Sequence, residues 1–291
     1  MEEIVAADQR HQVTPRPATP TVSVVCPTLN EASNLPHVLT RIPEIVDEVV
    51  LVDGHSVDDT IAVAQMIRPD IRVVLQDGVG KGNALACGFA VASGDIIVML
   101  DADGSTDPAE IPEFVDALLN GSDFAKGSRY LHGGGSADIT RIRSTGNRAL
   151  TAVVNVLFRT HYTDLCYGYN AFWHDCLPHM QVNCAGFEVE TLINVRVARA
   201  KLTVTEVPSI EHERLNGESN LNVVRDGLRI LRTIVRERVR IRRTRPHPDA
   251  WRPTTVELYP APAGRGIRAV LGIAGQPAPS EARASGIATA D

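Results

Sequence analysis

Apolar residues gather in four short runs along the first third of the chain: "VSVVCP" at 22–27, "EVVLVD" at 48–53, "IRVVLQ" at 71–76 and "DIIVML" at 95–100. Each run is rich in β-branched residues, and stretches of helical character separate them, a pattern that predicts strands alternating with helices. The runs are nearly continuous in hydrophobicity, as strands covered on both faces require. The expected fold class is α/β: a three-layer α/β/α sandwich with a mainly parallel sheet and right-handed crossovers. Asn30 or Ser33 is placed to cap the first helix, Asp58 and Asp59 put negative charge at the start of the second, and Gly80 precedes the third.

Beyond Asp107 the alternation loosens. Residues 107–120 read as a helix closed by Gly121, 123–130 as a strand, 133–144 as a glycine-rich loop and 146–158 as a helix. A further strand is expected within 202–213 and one long helix within 220–245. In that helix Leu221, Val224, Leu228, Leu231, Val235 and Val239 fall three or four apart and make one apolar stripe, flanked by many arginines. The expected organisation is a flexible leader at 1–20, a globular domain at 21–220, a basic amphipathic helix at 221–245 and a Pro/Gly/Ala-rich disordered tail at 246–291.

A formal net charge of −6 argues against a nucleic-acid partner. The 5 cysteines show no CxxC spacing and are odd in number, which excludes a disulfide framework and points to thiols kept in a reducing cytosol. The N-terminus lacks an apolar signal region, and no stretch approaches the roughly 18 uninterrupted apolar residues of a membrane span. The expected location is cytoplasmic, with the basic helix suited to peripheral contact at the inner face of the membrane.

In an open parallel sheet, ligands bind outside the carboxyl ends of the strands. Asp53 ends the second run, Asp101 and Asp103 end the fourth in "DAD", and Glu31 follows the first in "CPTLNE". Carboxylates gathered on one rim raise one another's pKa unless a cation compensates, and oxygen-only ligands suit magnesium or manganese bound to a substrate diphosphate. Lys81 in "GKGN" stands at a helix start, where backbone amides and an ammonium meet anions. No GxGxxG follows the first strand, so a dinucleotide-dependent dehydrogenase is excluded.

Together "SVVCPTLNEASNLPHVL", "VVLVDGHSVDDT", "GKGNALACGFAVASGDIIVMLDADGSTDP" and "GSRYLHGGG" resemble the family 2 glycosyltransferases, most closely the dolichol-phosphate mannosyltransferase-like group, over about residues 21–240. The resemblance implies a nucleotide-sugar-binding fold of the GT-A type, in which a DxD motif holds a divalent cation, Mg or Mn, against the donor diphosphate. It places Pro27, Glu31 and Asp53 at the nucleoside, with the Asp53 carboxylate accepting from the base. The family's second acid is missing from "VDGHS". Asp103 is the first choice as metal ligand and Asp101 lies closer to sugar or ribose hydroxyls, with His212 as a further metal candidate. Asp164 in "TDLCYGYNAFW" is a catalytic-site candidate alongside Asp101, Asp103 and Arg129.

A phosphate acceptor needs no protein base, only cations to position it, and arginine's planar fork suits that task. Arg129, Arg141, Arg143 and Arg148 fit the demand, and the resemblance adds Arg214 and Ser219. Glu188 and Glu190 would supply a general base for a hydroxyl acceptor, with ordinary helix polarity as the other account. The expected reaction is inverting, metal-dependent transfer of a hexose from a GDP- or UDP-sugar to polyprenyl phosphate. A soluble phosphorylated or natural-product acceptor, or a non-catalytic nucleotide-sugar-binding scaffold, are the alternatives.

Overall fold

The computed structural model describes residues 16–217, 223–240 and 257–258. Its strands are β1 (Val22–Thr28), β2 (Glu48–Asp53), β3 (Arg72–Leu75), β4 (Ile96–Met99), β5 (Phe124–Ser128), β6 (Gly135–Ser136), β7 (Asn170–Trp173), β8 (Val204–Pro208), β9 (Ile210–Glu211) and β10 (Glu257–Leu258). The helices are α1 (Leu35–Leu39), α2 (Thr60–Ile67), α3 (Lys81–Val91), α4 (Ile111–Leu119), α5 (Arg141–Phe158), α6 (Leu177–Met180), α7 (Val189–Ala200) and α8 (Val223–Arg240).

The central sheet runs β10-β3-β2-β1-β4-β7-β5-β8, and β6 pairs with β9 in a small second sheet. Strands β3, β2, β1 and β4 are mutually parallel, whereas β7 lies antiparallel between β4 and β5. Every residue of β4 and all but one of β2 are buried, which requires cover on both faces and bears out the α/β/α expectation. After β1 the chain winds outward through β2 and β3, then returns to place β4 on the other side of β1. That reversal is the switch point at which open α/β sheets bind ligands.

Helix α3, "KGNALACGFAV", is buried along most of its length, so its small residues are what let it lie close on the sheet. A Cβ at Gly88 would stand 2.3 Å from Val25 Cγ1 and 2.9 Å from Val52 Cγ2. Gly88→Ala is therefore expected to cost about 1–3 kcal/mol through overpacking, read as a lowered midpoint in urea unfolding. An unchanged midpoint would mean that α3 shifts freely on β1 and β2.

Several elements differ from the sequence reading. Helix α1 starts after Asn34, not at Asn30 or Ser33. Helix α5 begins at Arg141, inside the expected glycine-rich loop, because the Thr140 hydroxyl caps Arg143 N–H. The short strand β7 has no counterpart in the sequence reading. Within the expected flexible leader, Arg16 donates to Asp123 at 2.7 Å and lies 4.8 Å from the Trp173 ring centroid, which ties that end of the chain down. Within the expected disordered tail, Glu257 and Leu258 pair with Leu75 and Val74 and cover the edge of β3.

Helix α8 turns its apolar stripe to solvent: Val224, Leu228, Leu231, Val235 and Val239 are 71%, 52%, 41%, 53% and 71% exposed, while Leu221 lies outside the described residues. The helix packs instead through Asp226, Ile230, Thr233, Ile234 and Glu237. Glu237 is the reason, since its buried carboxylate accepts from Arg196 at 2.9 Å and Arg199 at 2.5 Å, both on α7. Ile230 and Ile234 join Val154 of α5 and Val195 of α7 in a second apolar cluster.

Candidate functional site: an acid-lined cleft at the sheet's switch point

The carboxyl ends of β1, β2 and β4 open onto one cleft of about 460 Å³. Pro27 and Glu31 reach it from the end of β1, Gly54 from β2, Asp101 and Asp103 from β4, and Lys81 from the first turn of α3. Of the four acids predicted for a shared rim, Glu31, Asp101 and Asp103 line this cleft, whereas Asp53 is buried and Gly54 lines it in its place.

Lys81 is the hub of one half of the cleft. Its ammonium lies 2.7 Å from Asp101 Oδ1 and 2.9 Å from Glu190 Oε1. Burial alone would strip its proton, but Asp101 and Glu190 outweigh that and hold the lysine well above its ordinary value. Burial pushes the Glu190 carboxyl up, with Lys81 opposing it. Gly168 makes room for the trio: a Cβ there would stand 2.9 Å from Lys81 Nζ and 3.2 Å from Asp101 Oδ2. Gly168→Ala is expected to raise the donor's dissociation constant about tenfold by displacing these ends, with the unfolding midpoint little changed. Equal donor affinity would show that the trio's spacing is irrelevant to binding.

Asp103 anchors the other half. Its Oδ1 accepts from the Ser105 N–H at 2.9 Å and the Ser105 hydroxyl at 2.6 Å, an Asx-type turn that fixes the loop after β4. Its Oδ2 lies 2.7 Å from Arg214 Nη2, and Arg214 Nη1 reaches Glu31 Oε1 at 3.5 Å. Burial raises the Glu31 carboxyl, against the opposing Asn34 amide and Arg214. The two acids of "DAD" are therefore balanced by one cation each.

Two carboxylates supplying only oxygen fit a small divalent ion that keeps several waters and takes the rest of its shell from substrate phosphate. Among the described residues no group of three or more His, Cys, Asp or Glu is placed to hold a metal. His212 is thus not assembled with Asp101 and Asp103, and its side chain is exposed. Its backbone N–H instead donates to Ser105 O at 2.8 Å, tying the strand-end segment to the "DAD" loop.

Asp53 is 1% exposed beneath Gly54. Its Oδ2 accepts from Ser56 N–H at 2.9 Å, while Oδ1 is buried with no hydrogen-bond partner. An unpaired buried acceptor is costly, and a ligand N–H beside Gly54 would relieve it.

Arg129 reaches the cleft wall but is committed elsewhere. Its Nε and Nη2 donate to Asp164 at 2.7 and 3.0 Å, and its Nη1 donates to Glu211 at 3.0 Å. Its guanidinium also lies 4.8 Å from the Tyr167 ring centroid. Asp164 is fully buried and also accepts from the Asn147 amide at 2.8 Å. Burial opposes its ionisation, but Arg129, Lys126 and Asn147 hold its carboxyl below the usual range. The structure makes Arg129 and Asp164 a buried clamp that positions the cleft wall, in place of the acceptor arginine and site acid expected.

The remaining predicted residues divide. Arg143 lines the cleft and pairs with Asp138 at 3.0 Å. Arg141, two residues earlier on α5, is exposed and does not line the cleft, and Arg148 lies 5.0 Å from the Tyr130 ring centroid. Glu188 sits at the start of α7 outside the cleft, and Ser219 lies outside the described residues. Sequence reasoning missed Gly168 and Glu211, and it did not bring Arg225 and Arg229 of α8 to the cleft wall. For Arg225 and Arg229 the only sequence signal was charge, which the stripe led us to assign to a surface.

The chain matches the description "Glycosyl transferase family 2" over residues 23–180. It is 30% identical over 216 residues to glycosyltransferase AglJ of Haloferax volcanii, covering 72% of this chain and 70% of that one. It is 32% identical over 209 residues to dolichol-phosphate mannosyltransferase of Pyrococcus furiosus, covering 69% of this chain and 59% of that relative's length. Among solved structures it resembles glucosyl-3-phosphoglycerate synthase of Mycobacterium tuberculosis in complex with Mn2+, uridine diphosphate and glucosyl-3-phosphoglycerate. That likeness has a TM-score of 0.60 at 24% identity and covers 75% of this chain and 80% of that one. The matched segment runs from β1 through β4 and the "DAD" loop, and the chain belongs to glycosyl transferase family 2, as an enzyme of the GT-A fold.

Proposed function

We propose that this chain transfers a hexose, by inversion, from a GDP- or UDP-sugar to polyprenyl phosphate, using a divalent magnesium or manganese ion, and that it meets the lipid peripherally at the membrane. The pairing of Asp101 with Lys81 and of Asp103 with Arg214 across one cleft carries the reading. Opposed charges spaced in this way suit a diphosphate, whose oxygens take the cations while the carboxylates take the metal.

In this reading Asp103 and Asp101 hold the ion, which when bound supplies charge stabilisation to the departing nucleotide. Arg214 and Lys81, freed from the acids they neutralise, turn to the diphosphate oxygens. Asp53 Oδ1 accepts an N–H of the base, and Pro27 and Gly54 shape the pocket beside it. Glu190 keeps Lys81 charged and oriented while Asp101 is engaged. Arg143, on the far wall, is the cation best placed for the acceptor phosphate. A phosphate dianion attacks the anomeric carbon without a protein base, so no group here has to remove a proton. The named activity of the Pyrococcus relative supports the acceptor class.

Isothermal titration with GDP-mannose and UDP-glucose, with and without manganese, tests the donor site. Binding of one donor that strengthens with metal is expected. Transfer to a short-chain polyprenyl phosphate, compared with soluble phosphorylated acceptors, then tests the acceptor. Failure of both donors to bind would overturn the proposal, and transfer only to the soluble acceptors would overturn its lipid part.

A further inference from the structure

We propose that the outward face of α8 is a docking surface for an anionic lipid bilayer. The inference rests on the lipid-acceptor reading above and assigns the surface that would bring the cleft to it.

At about 100° per residue, Val224, Leu228, Leu231, Val235 and Val239 fall on one side of α8, opposite Asp226, Ile230, Thr233, Ile234 and Glu237. The second set is buried and the first is 41% exposed or more throughout. Folding has therefore left the longer apolar stripe outside, where it costs solubility and gains nothing from the core. Both acids of the helix lie on the buried side, so Arg232 and Arg236 on one flank of the stripe and Arg238 on the other meet no exposed acid of their own helix.

Helix α5, which packs against α8, repeats the arrangement. Ile142, Val153 and Val156 are 73%, 38% and 80% exposed, opposite its buried Asn147, Thr151 and Val154. It carries Arg141, Arg143 and Arg148 and no acid. In a chain of net charge −6, two adjacent helices that turn apolar residues outward and expose no acid of their own form a marked asymmetry.

An apolar stripe between cations matches the bilayer interface, where acyl chains take the stripe and anionic headgroups the arginines. A second copy of the chain fits poorly. Across a two-fold axis the same arginines would face each other. The stripe of an 18-residue helix is also only about 27 Å by 10 Å, near 270 Å², against about 800 Å² per partner for a standard interface. Arg225 and Arg229 of the same helix line the cleft, so a bilayer seated on the stripe would lie beside the cleft mouth.

The test is co-sedimentation of the full chain with vesicles of phosphatidylcholine alone or with phosphatidylglycerol. It uses wild type, an apolar variant (Leu231→Ser, Val235→Ser, Val239→Ser) and a charge variant (Arg232→Gln, Arg236→Gln). Wild type is expected to bind the anionic vesicles in a salt-sensitive way. The apolar variant should lose at least about tenfold in affinity, and the charge variant about fivefold per arginine. The changed residues of the apolar variant are exposed, and unchanged thermal unfolding and donor titration on the same preparations confirm an intact fold. Equal vesicle binding by wild type and apolar variant, absence of binding by wild type, or a wild-type dimer that the apolar variant abolishes would each overturn the proposal. Intact donor binding in those cases would leave the donor chemistry standing, whereas lost donor binding in wild type would count against the transferase reading itself.

Discussion

Asp103→Asn is expected to lower sugar transfer roughly 10²–10³-fold, the scale seen when one preorganised charge-stabilising group is removed. The substitution keeps the side chain's size and a hydrogen-bond acceptor for Ser105, so the loop after β4 should hold its shape. What it removes is the anionic oxygen 2.7 Å from Arg214. Donor titration should accordingly lose its dependence on manganese, while unfolding stays close to wild type because the site is open to solvent. The combination is diagnostic: a loss of activity with equal loss of stability would mean that Asp103 serves the loop, and unchanged transfer would exclude it as a metal ligand.

Arg129→Ala is expected to act on the fold. It leaves Asp164 and Glu211 without their shared cation, and the three side chains are only 5%, 0% and 10% exposed. Breaking a buried pair of this kind costs about 3–5 kcal/mol, to be read as the shift in urea midpoint at constant slope. Arg129→Lys should recover only part of it, since an ammonium cannot fork between two carboxylates. The pH dependence follows from Asp164, whose folded pKa is depressed. Its stabilising contribution is present above the ordinary carboxylate range and is lost as pH falls through the lowered value, so the wild type should weaken in acid. In Arg129→Ala the shift loses its chief favourable cause, and that acid-side slope should flatten. Normal stability with selective loss of transfer would instead return Arg129 to the acceptor role.

Much of the sheet was legible because its strands obey a local rule. β1 to β4 are buried on both faces, so each had to be continuously apolar, and their helical separators had to cross over. Three rim acids were legible for the same reason: Glu31, Asp101 and Asp103 follow the ends of β1 and β4, and parallel strands carry their ends to one edge, whereas Asp53 closes β2 as a buried residue outside the cleft lining. Strand β7 was not, because its four residues pair antiparallel between β4 and β5, a placement that depends on residues far off in sequence.

Side-chain partnership lay beyond the sequence. Arg129 carries the same charge whether it awaits a phosphate or is closed between two carboxylates, and only the tertiary structure brings Asp164 and Glu211 to it. Glu190 reads as helix polarity until α7 sets it against Lys81. In α8 the periodicity established that an apolar stripe exists but not which way it points. The buried Glu237, held by two arginines of α7, turned the less apolar face inward. Thus the sequence by itself determined the α/β class, the strand ends and their acids, all products of local periodicity. The tertiary structure alone decided which charges neutralise one another and which helix face meets solvent, since those depend on contacts between segments distant along the chain.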